Sequence, residues 1–365
     1  MILRTNRIVL LLAIVVAFAC SILDMTFLKE DMFEHFARKL VNEEKTSSYE
    51  HAHPDVTTFA EGQYAVDRGK IREVSLANRD GAIVVRQAEG NRIQLRYKVK
   101  VTSRNKEGTE RRQTAVKADK DPAGERLTLT ATVDGKPVEG GRVSVDYELL
   151  VPSGLKLDIK SERGSVSVLG TKGDLGVRSD NGMLEIQQVD GRLMADVAHG
   201  NAYLSGITGG IDLKNEFSDV TIEQAKGAVK LDSSNGVNAI GPIEGALTGR
   251  AGEGTLMLRA VGGTIDLTAV AANVQVTELR GNARIRPESS DVTVLLDKTG
   301  GYTLDTVVKN GHIGTQLPLV VKRDPAEGNI DRLRGSLGDG KWTIAIDGVV
   351  SDIHLYTRTA AAVTN

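Results

Sequence analysis

The stretch Leu157–Asp174, "LDIKSERGSVSVLGTKGD", runs directly into Leu175–Arg192, "LGVRSDNGMLEIQQVDGR", and the two share one pattern eighteen residues apart. Each opens with alternating residues and reaches a glycine at its eighth place. The alternation then returns at the tenth to twelfth places, and a second glycine fills the seventeenth. Rows of this kind start at Leu157, Leu175, Leu193, Ile211, Val229, Leu247, Ile265 and Ala283. The seventeenth place of the first seven is Gly173, Gly191, Gly209, Gly227, Gly245, Gly263 and Gly281, far beyond chance for a chain with 39 glycines in 365 residues. Alternation with period two marks a strand with one inward face, and a fixed period of this kind is read before other fold signals. Two strands and two turns per row predict an all-β parallel β-solenoid with eighteen-residue coils. Its rows would stack at about 4.8 Å, giving a core of roughly 40 Å for eight rows. Glycine is expected at the turns because it takes positive φ at little cost.

The fourth place of the rows points outward between two inward ones: Lys160, Arg178, Asp196, Lys214, Asp232, Arg250, Thr268 and Arg286. Stacking in register turns this column into a ladder whose charge alternates from Arg178 to Arg250. Each exposed pair is worth a few tenths of a kcal/mol, so its better use is to oppose slippage between rows.

Outward from the strict repeat, residues 157–300, the pattern loosens. The solenoid domain is expected over 66–357, opening with "VSLANRDGAIVVRQAEG" (Val74–Gly90). Alternating runs such as "RIQLRYKVKVTS" and "RLTLTATVDG" predict an antiparallel insertion over 92–154. Residues 301–357 are expected to supply C-terminal coils and a cap against edge pairing, with Trp342 and Tyr356 as cap aromatics, and 358–365 a tail.

Residues 1–28 read as a signal anchor or signal peptide, an N-terminal hydrophobic helix. Arg4 and Arg7 precede an uncharged apolar run, Ile8 to Leu23, between the lengths of a secretory signal and a full span. The arginines keep that end in the cytoplasm and send the rest outward. Retention as an anchor, cleavage, and lipidation at Cys20 are all open, and each exports the domain to the periplasm or cell surface. Residues 29–65 read as a short amphipathic helix (Phe33, Phe36, Leu40, Val41) followed by a polar linker.

With 46 Lys+Arg against 48 Asp+Glu, the chain lacks the basic excess of a nucleic-acid binder. Its single cysteine, Cys20, excludes an intramolecular disulfide and a Cys-based metal cluster. Enzymes built on parallel β-helices gather acids on neighbouring rows of one face. Here Asp158, Asp212 and Asp266 are three rows apart, Asp196 and Asp232 are separated by Lys214, and Asp190 and Glu223 have no acid one row away. His51 and His53 lie in the linker without a third ligand. His199 occupies a turn, and His312 and His354 are isolated. The turns lack the aspartate array of calcium-binding nonapeptide rolls, and neither a Walker loop nor a dinucleotide fingerprint is present. No catalytic, cofactor-binding or metal residue is therefore assigned.

"VSVDYELLVPSGLKLDIKSERGSVSV", in which a Val-Pro turn leads into Ser-x-x-Gly-x-Val, together with "RSDNGMLEIQQVDG" and "DSSNGVNAIGPIEG", resembles a bacterial family. This is the exported putative adhesin family, a domain of unknown function folded as a single-stranded β-helix. The resemblance covers about residues 66–357 and implies a right-handed winding. The expected function is a non-catalytic cell-envelope scaffold that presents a repetitive flat surface to a cell-surface glycan or envelope protein. The membrane is reached through the N-terminal segment and no nucleic acid is involved. The alternative is a periplasmic structural or signalling accessory that binds a membrane partner through its coil ends. A polysaccharide-active enzyme is the third reading.

Overall fold

The computed structural model describes residues 56–103, 114–138, 143–298, 300–324 and 329–358. The anchor and helix expected before residue 54, Cys20, His51, His53 and the tail after residue 358 lie outside the described residues. Those described form an all-β structure of 27 strands with a mostly parallel, unclosed sheet. None of them belongs to a helix long and apolar enough to cross a membrane.

The N-terminal part comprises β1 (Val56–Asp67), β2 (Glu73–Asp80), β3 (Ile83–Gln87), β4 (Arg92–Ser103), β5 (Thr114–Lys120), β6 (Arg126–Val133), β7 (Lys136–Pro137) and β8 (Val143–Val151). The polar linker expected to reach residue 65 ends sooner, because residues 56–67 pair antiparallel with β4. Ala60, Tyr64 and Val66 on alternate positions pack against the core. Gly62 leaves room for the facing Tyr97 ring, which a Cβ there would overlap.

The antiparallel insertion is only partly antiparallel. β4 runs antiparallel to β1 and β8, and β5 and β7 run antiparallel to β6. β6 and β8 themselves stack parallel on β2 and β3. They form an additional row on the far side of β2–β3 from the strict repeat, because Leu127, Leu129, Tyr147 and Leu149 supply the same inward alternation and are fully buried.

The middle comprises β9 (Lys156–Arg163), β10 (Val166–Leu169), β11 (Leu175–Gln187), β12 (Leu193–Ser205), β13 (Ile211–Glu223), β14 (Val229–Ser233), β15 (Val237–Ile240), β16 (Leu247–Ala251), β17 (Gly254–Arg259), β18 (Ile265–Val270), β19 (Ala272–Thr277), β20 (Ala283–Glu288) and β21 (Asp291–Asp297). Residues eighteen apart are partners throughout. Leu157, Leu175, Leu193 and Ile211 form one continuous buried column, as do Val166, Leu184, Ala202 and Val220 in the second half of the rows. A third, shorter ladder was not anticipated. In the rows starting at Leu175 to Ile265 the sixteenth-place N–H donates to the fifteenth-place carbonyl of the row before, as Asp190 does to Thr171 and Thr208 to Val189. The fifteenth-place side chains Val189, Ile207, Ala225, Ile243 and Val261 close the core on that side.

The two glycine columns have different causes. Eighth-place Gly182 and Gly200 do adopt positive φ, at 145° and 142°. The seventeenth-place glycines after Gly173 do not, which corrects the expectation for that corner. They are required by proximity, since a Cβ on Gly227 would collide with the carbonyl oxygen of Gly209 one row earlier. The left-handed residue of that corner stands at the fourteenth place and is often not glycine: Gln188, Gln224, Ala260 and Glu278 have φ of 56°, 53°, 51° and 53°.

Where the first ladder ends, inward-facing side chains turn polar. Asn215 donates to the Ser218 carbonyl (2.8 Å) and the Asn238 amide oxygen (2.9 Å) and accepts from the Ser218 N–H (2.9 Å). Asn78 serves the corresponding corner of β2–β3 by donating to the carbonyls of Gly81 and Val145. Such bonds satisfy backbone groups that the corner removes from the ladder.

The C-terminal part comprises β22 (Tyr302–Lys309), β23 (His312–Thr315), β24 (Val321–Asp324), β25 (Ile330–Leu337), β26 (Trp342–Val349) and β27 (Asp352–Arg358). Here the expected order is overturned. The last two strands of the chain enter the stack, β26 between β20 and β22 and β27 between β21 and β23. β22 and β23 form the last parallel row; β25 then pairs antiparallel with β22, and β24 antiparallel with β25. Trp342 and Tyr356 therefore belong to an internal row. Trp342 packs at 5.8 Å against Tyr302, which is the buried aromatic of the outer row.

Candidate functional site

The two outward faces of the strict rows differ in chemistry. At the second and fourth places, outside the first ladder, twelve of sixteen residues are charged; at the eleventh and thirteenth, outside the second, only Glu185, Glu223 and Arg259 are. On the charged face the acids considered as catalytic candidates are neutralised by bases. Asp212 lies between Arg192 (3.5 Å) and Lys230 (3.8 Å), Asp266 meets Arg286 (2.6 Å), and Asp158 meets Lys160 (3.8 Å). The fourth-place ladder forms in register, but its tightest contacts run along the strand. Arg178 is 2.9 Å from Asp180 and 3.8 Å from Asp196, and Lys214 is 2.8 Å from Glu216. The Glu216 hydrogen bond and charge raise the Lys214 ammonium above its ordinary range, and the reciprocal interaction lowers Glu216.

The second face is half-buried, with Tyr203, Thr221, Ala239, Met257, Gln275 and Thr293 along its eleventh-place column. Its charges are not distributed evenly. Glu185 and Tyr203 are partners on adjacent rows, and the Tyr203 hydroxyl donates to Glu223 Oε2 at 3.2 Å. Burial and then the Glu223 and Glu185 carboxylates push the Tyr203 hydroxyl up. Glu185 accepts from the Gln187 amide at 2.6 Å. Among the described residues neither carboxylate is ion-paired with a Lys or Arg, whereas Glu73, Asp80, Glu148 and Asp212 all are.

Beside this diagonal, at the corner before the second face, stand three of the four exposed large apolar side chains of the middle rows, the fourth, Met194, lying on the charged face. Met183, Phe217 and Val237 stand there, and the His199 ring stacks on Phe217 at 5.3 Å with 13° between planes. His199 thus has a definite neighbour, which its turn position alone did not reveal. Asn201, between His199 and Tyr203 on alternate positions of β12, is exposed.

The remaining histidines sit in the C-terminal rows. His354 stacks on Tyr356 (6.0 Å). His312 is not isolated, since its Nδ1 lies 3.1 Å from the carboxylate of Asp331, which also accepts two bonds from Arg323 and one from the Ile313 N–H. Burial alone would raise Asp331, yet the Arg323 hydrogen bonds, the Ile313 N–H and the Arg323 guanidinium charge hold it below the ordinary carboxylate range. No group of three His, Cys, Asp or Glu side chains among the described residues is placed to hold a metal ion. A half-open cavity of about 430 Å³ between β1 and β4 is bordered by Arg92 and Arg96, which are engaged by Asp67 and Glu148.

No family model and no curated protein matches the chain. Solved structures do. One is described as a putative cell adhesion protein from Clostridium sporogenes, with 11% identity over 82% of this chain and 100% of that one and a TM-score of 0.23. Another is a putative adhesin from Bacteroides fragilis, with 12% identity over 82% and 97% and a TM-score of 0.31. A third is a putative adhesin from Parabacteroides merdae, with 10% identity over 65% and 90% and a TM-score of 0.28. All three are named as adhesins or adhesion proteins of bacteria. At these TM-scores the likeness carries no weight for mechanism.

Proposed function

We propose that the chain is an exported, non-catalytic right-handed β-solenoid that binds a partner at the cell envelope through the outward face of its second ladder. The observation that carries this reading is the charge asymmetry, with twelve of sixteen outward positions charged on one face and three of sixteen on the other. Solubility and register explain a charged face. They do not explain a long, sparsely charged one, which suits an interface in which few charges must be desolvated. Export rests on Arg4 and Arg7 ahead of the Ile8–Leu23 run.

The test is a glycan array and an envelope-extract capture with the full-length chain, its Thr221→Arg and Ala239→Arg variants, and Lys230→Ala on the opposite face. Binding that the first two abolish and the third spares is the expected result. Binding insensitive to both second-face changes would sink the reading. Reproducible release of reducing ends from envelope polysaccharide by the purified chain would overturn the non-catalytic part.

A further inference from the structure

Asparagine is followed by glycine three times among the described residues, at Asn181–Gly182, Asn235–Gly236 and Asn310–Gly311. In such a pair the glycine nitrogen is an unshielded nucleophile beside the asparagine carboxamide, because glycine has no Cβ to hinder it. Whether the two groups react depends on how the fold orients them, and the three sites differ. Asn181 and Gly182 lie inside β11, paired with His199 and Gly200 of β12. The Asn181 carbonyl accepts from the Gly164 N–H at 3.0 Å, and its side-chain amide donates to the Glu162 carbonyl at 3.3 Å. Both its main chain and its amide nitrogen are therefore tied to the neighbouring row. Asn310 has a left-handed backbone, with φ of 56°, which turns the next nitrogen away from its own side chain. Asn235 stands in the corner between β14 and β15, partly exposed and outside both strands. There the Gly236 N–H donates to Oδ1 of Asn235 itself, at 2.8 Å. The nitrogen that must attack is held against the carboxamide it would attack.

We propose that Asn235 is a site of spontaneous covalent rearrangement to isoaspartate. Solvent base takes the Gly236 N–H proton, the nitrogen bonds to Cγ of Asn235, and Nδ2 gains a proton and leaves as ammonia, closing a five-membered succinimide. Water then opens the ring. Addition at Cγ gives aspartate, whereas addition at the former Asn235 carbonyl gives isoaspartate, whose main chain is one carbon longer. Nothing is oxidised or reduced, and water is the one co-reactant. Asn215 Nδ2 and Ser233 Oγ both point at that carbonyl oxygen, each at 3.4 Å. Donors placed there polarise the carbon that water attacks on the second route, which favours isoaspartate. The added carbon falls between Ser233 and Val237, whose partners Ala251 and Thr255 keep the eighteen-residue register. The new carboxylate arrives one row beyond the His199–Phe217 stack. Modification therefore puts slack and a negative charge into the one corner of rows 175–240 that leaves the ladder.

The test incubates the full-length chain in mildly alkaline buffer, once folded and once in denaturant. The chain is then cut after Lys and Arg, and its peptides are labelled by an isoaspartyl methyltransferase. The three sites fall in separate peptides, 179–192, 231–250 and 310–322. In the folded chain, label in 231–250 is expected to accumulate roughly tenfold faster than in the other two, a modest part of what orientation can supply. In denaturant, where only the shared dipeptide remains, the three rates should converge. Asn235→Gln keeps the amide but needs a larger ring, so it should abolish label in 231–250 and leave the other two peptides unchanged. Equal rates at the three sites in the folded chain, or faster conversion at Asn181 or Asn310, overturns the inference. So does a folded chain that converts none of them while the denatured one converts all, because the corner would then be held as firmly as the ladder. Label that persists in 231–250 of Asn235→Gln also overturns it, by assigning the modified residue elsewhere in that peptide.

Discussion

Between Lys156 and Asp297 each row lies against the row before it and the row after it in the chain, so partners are always eighteen residues apart. At either end that rule fails. Val74 pairs with Leu157 and Val74 also with Leu127, so the β2–β3 row is laid first, covered on its outer side by β6–β8, and only then met by β9 and β10. At the other end β22 and β23 are placed one row too far out, and the chain returns to fill the space with β26 and β27. The middle is held by nearest-neighbour contacts of low sequence separation. The ends depend on segments that close over long intervening loops, which is slower and costs more chain entropy. At the C-terminal end β25 also covers the outer edge of β22, which blunts that strand against edge-to-edge addition.

The largest effect should come from removing the returning row. A chain ending at Asp339 leaves β20–β21 and β22–β23 separated by two row spacings, about 9.6 Å, too far to hydrogen-bond. Amides of Tyr302–Lys309 and Ala283–Asp297 that donate towards β26 and β27 should then exchange at unprotected rates while Leu175–Glu223 keeps its protection, as expected where rows interact only with neighbours. Retained protection at Tyr302–Lys309 would mean that the outer row does not depend on the inserted one.

Next in size is the proximity of the seventeenth-place glycines. Gly227→Ala should destabilise by about 3 kcal/mol, as overpacking against backbone does, because the added carbon meets the carbonyl of Gly209. Gly90→Ala, with nothing within 4 Å of its Cβ and no positive φ, should change stability by less than about 0.5 kcal/mol. Equal denaturant midpoints for the two variants would refute the crowding account.

Asp331 ties three C-terminal strands through Arg323, His312 and the Ile313 N–H, with its side chain 1% exposed. Its folded pKa is depressed relative to the unfolded chain, so its contribution is present above about pH 4, the unfolded value, and lost as pH falls through the folded one. Asp331→Asn should cost roughly 2 kcal/mol near neutrality and flatten the acid limb of the stability curve. An acid limb unchanged by Asp331→Asn would assign acid sensitivity to other carboxylates.

The contrast between middle and ends is also a contrast in what sequence reveals. Leu175, Leu193 and Ile211 announce their shared column because the period that places them is short and unbroken. Nothing periodic announces that Ala283 meets Ile344, since the intervening loop has no fixed length. The fourteenth-place corner was hidden because Gln188 and Glu278 adopt positive φ without being glycine, enforced by the rows on either side. The seventeenth-place column was visible, but its cause was not, because alignment shows that glycine recurs and not which atom excludes a Cβ. At the candidate site, the eighteen-residue register already places Glu185, Tyr203 and Thr221 on successive rows. What it does not contain is the diagonal bond from Tyr203 to Glu223, which joins an eleventh place to a thirteenth.

The smallest effect concerns the fourth-place charges, and it separates register from stability. Arg178, Asp196 and Lys214 stack as successive partners, but Arg178 and Lys214 make closer contacts along their own strands, with Asp180 and Glu216. Asp196→Lys places three cations in a row while leaving those contacts intact. The expected loss is under about 1 kcal/mol, the range of exposed pairs, and most of it should return at 1 M salt, where the screening length is about 3 Å. The buried columns Leu175–Leu193–Ile211 and Leu184–Ala202–Val220 resist a slip far more strongly, because a one-residue shift would expose every inward side chain of the row. If Asp196→Lys changed strand pairing itself, seen as altered contacts between Val177, Ala195 and Leu213, the charges would set register. An unchanged pairing with a salt-reversible fall in melting temperature leaves that role to the interior.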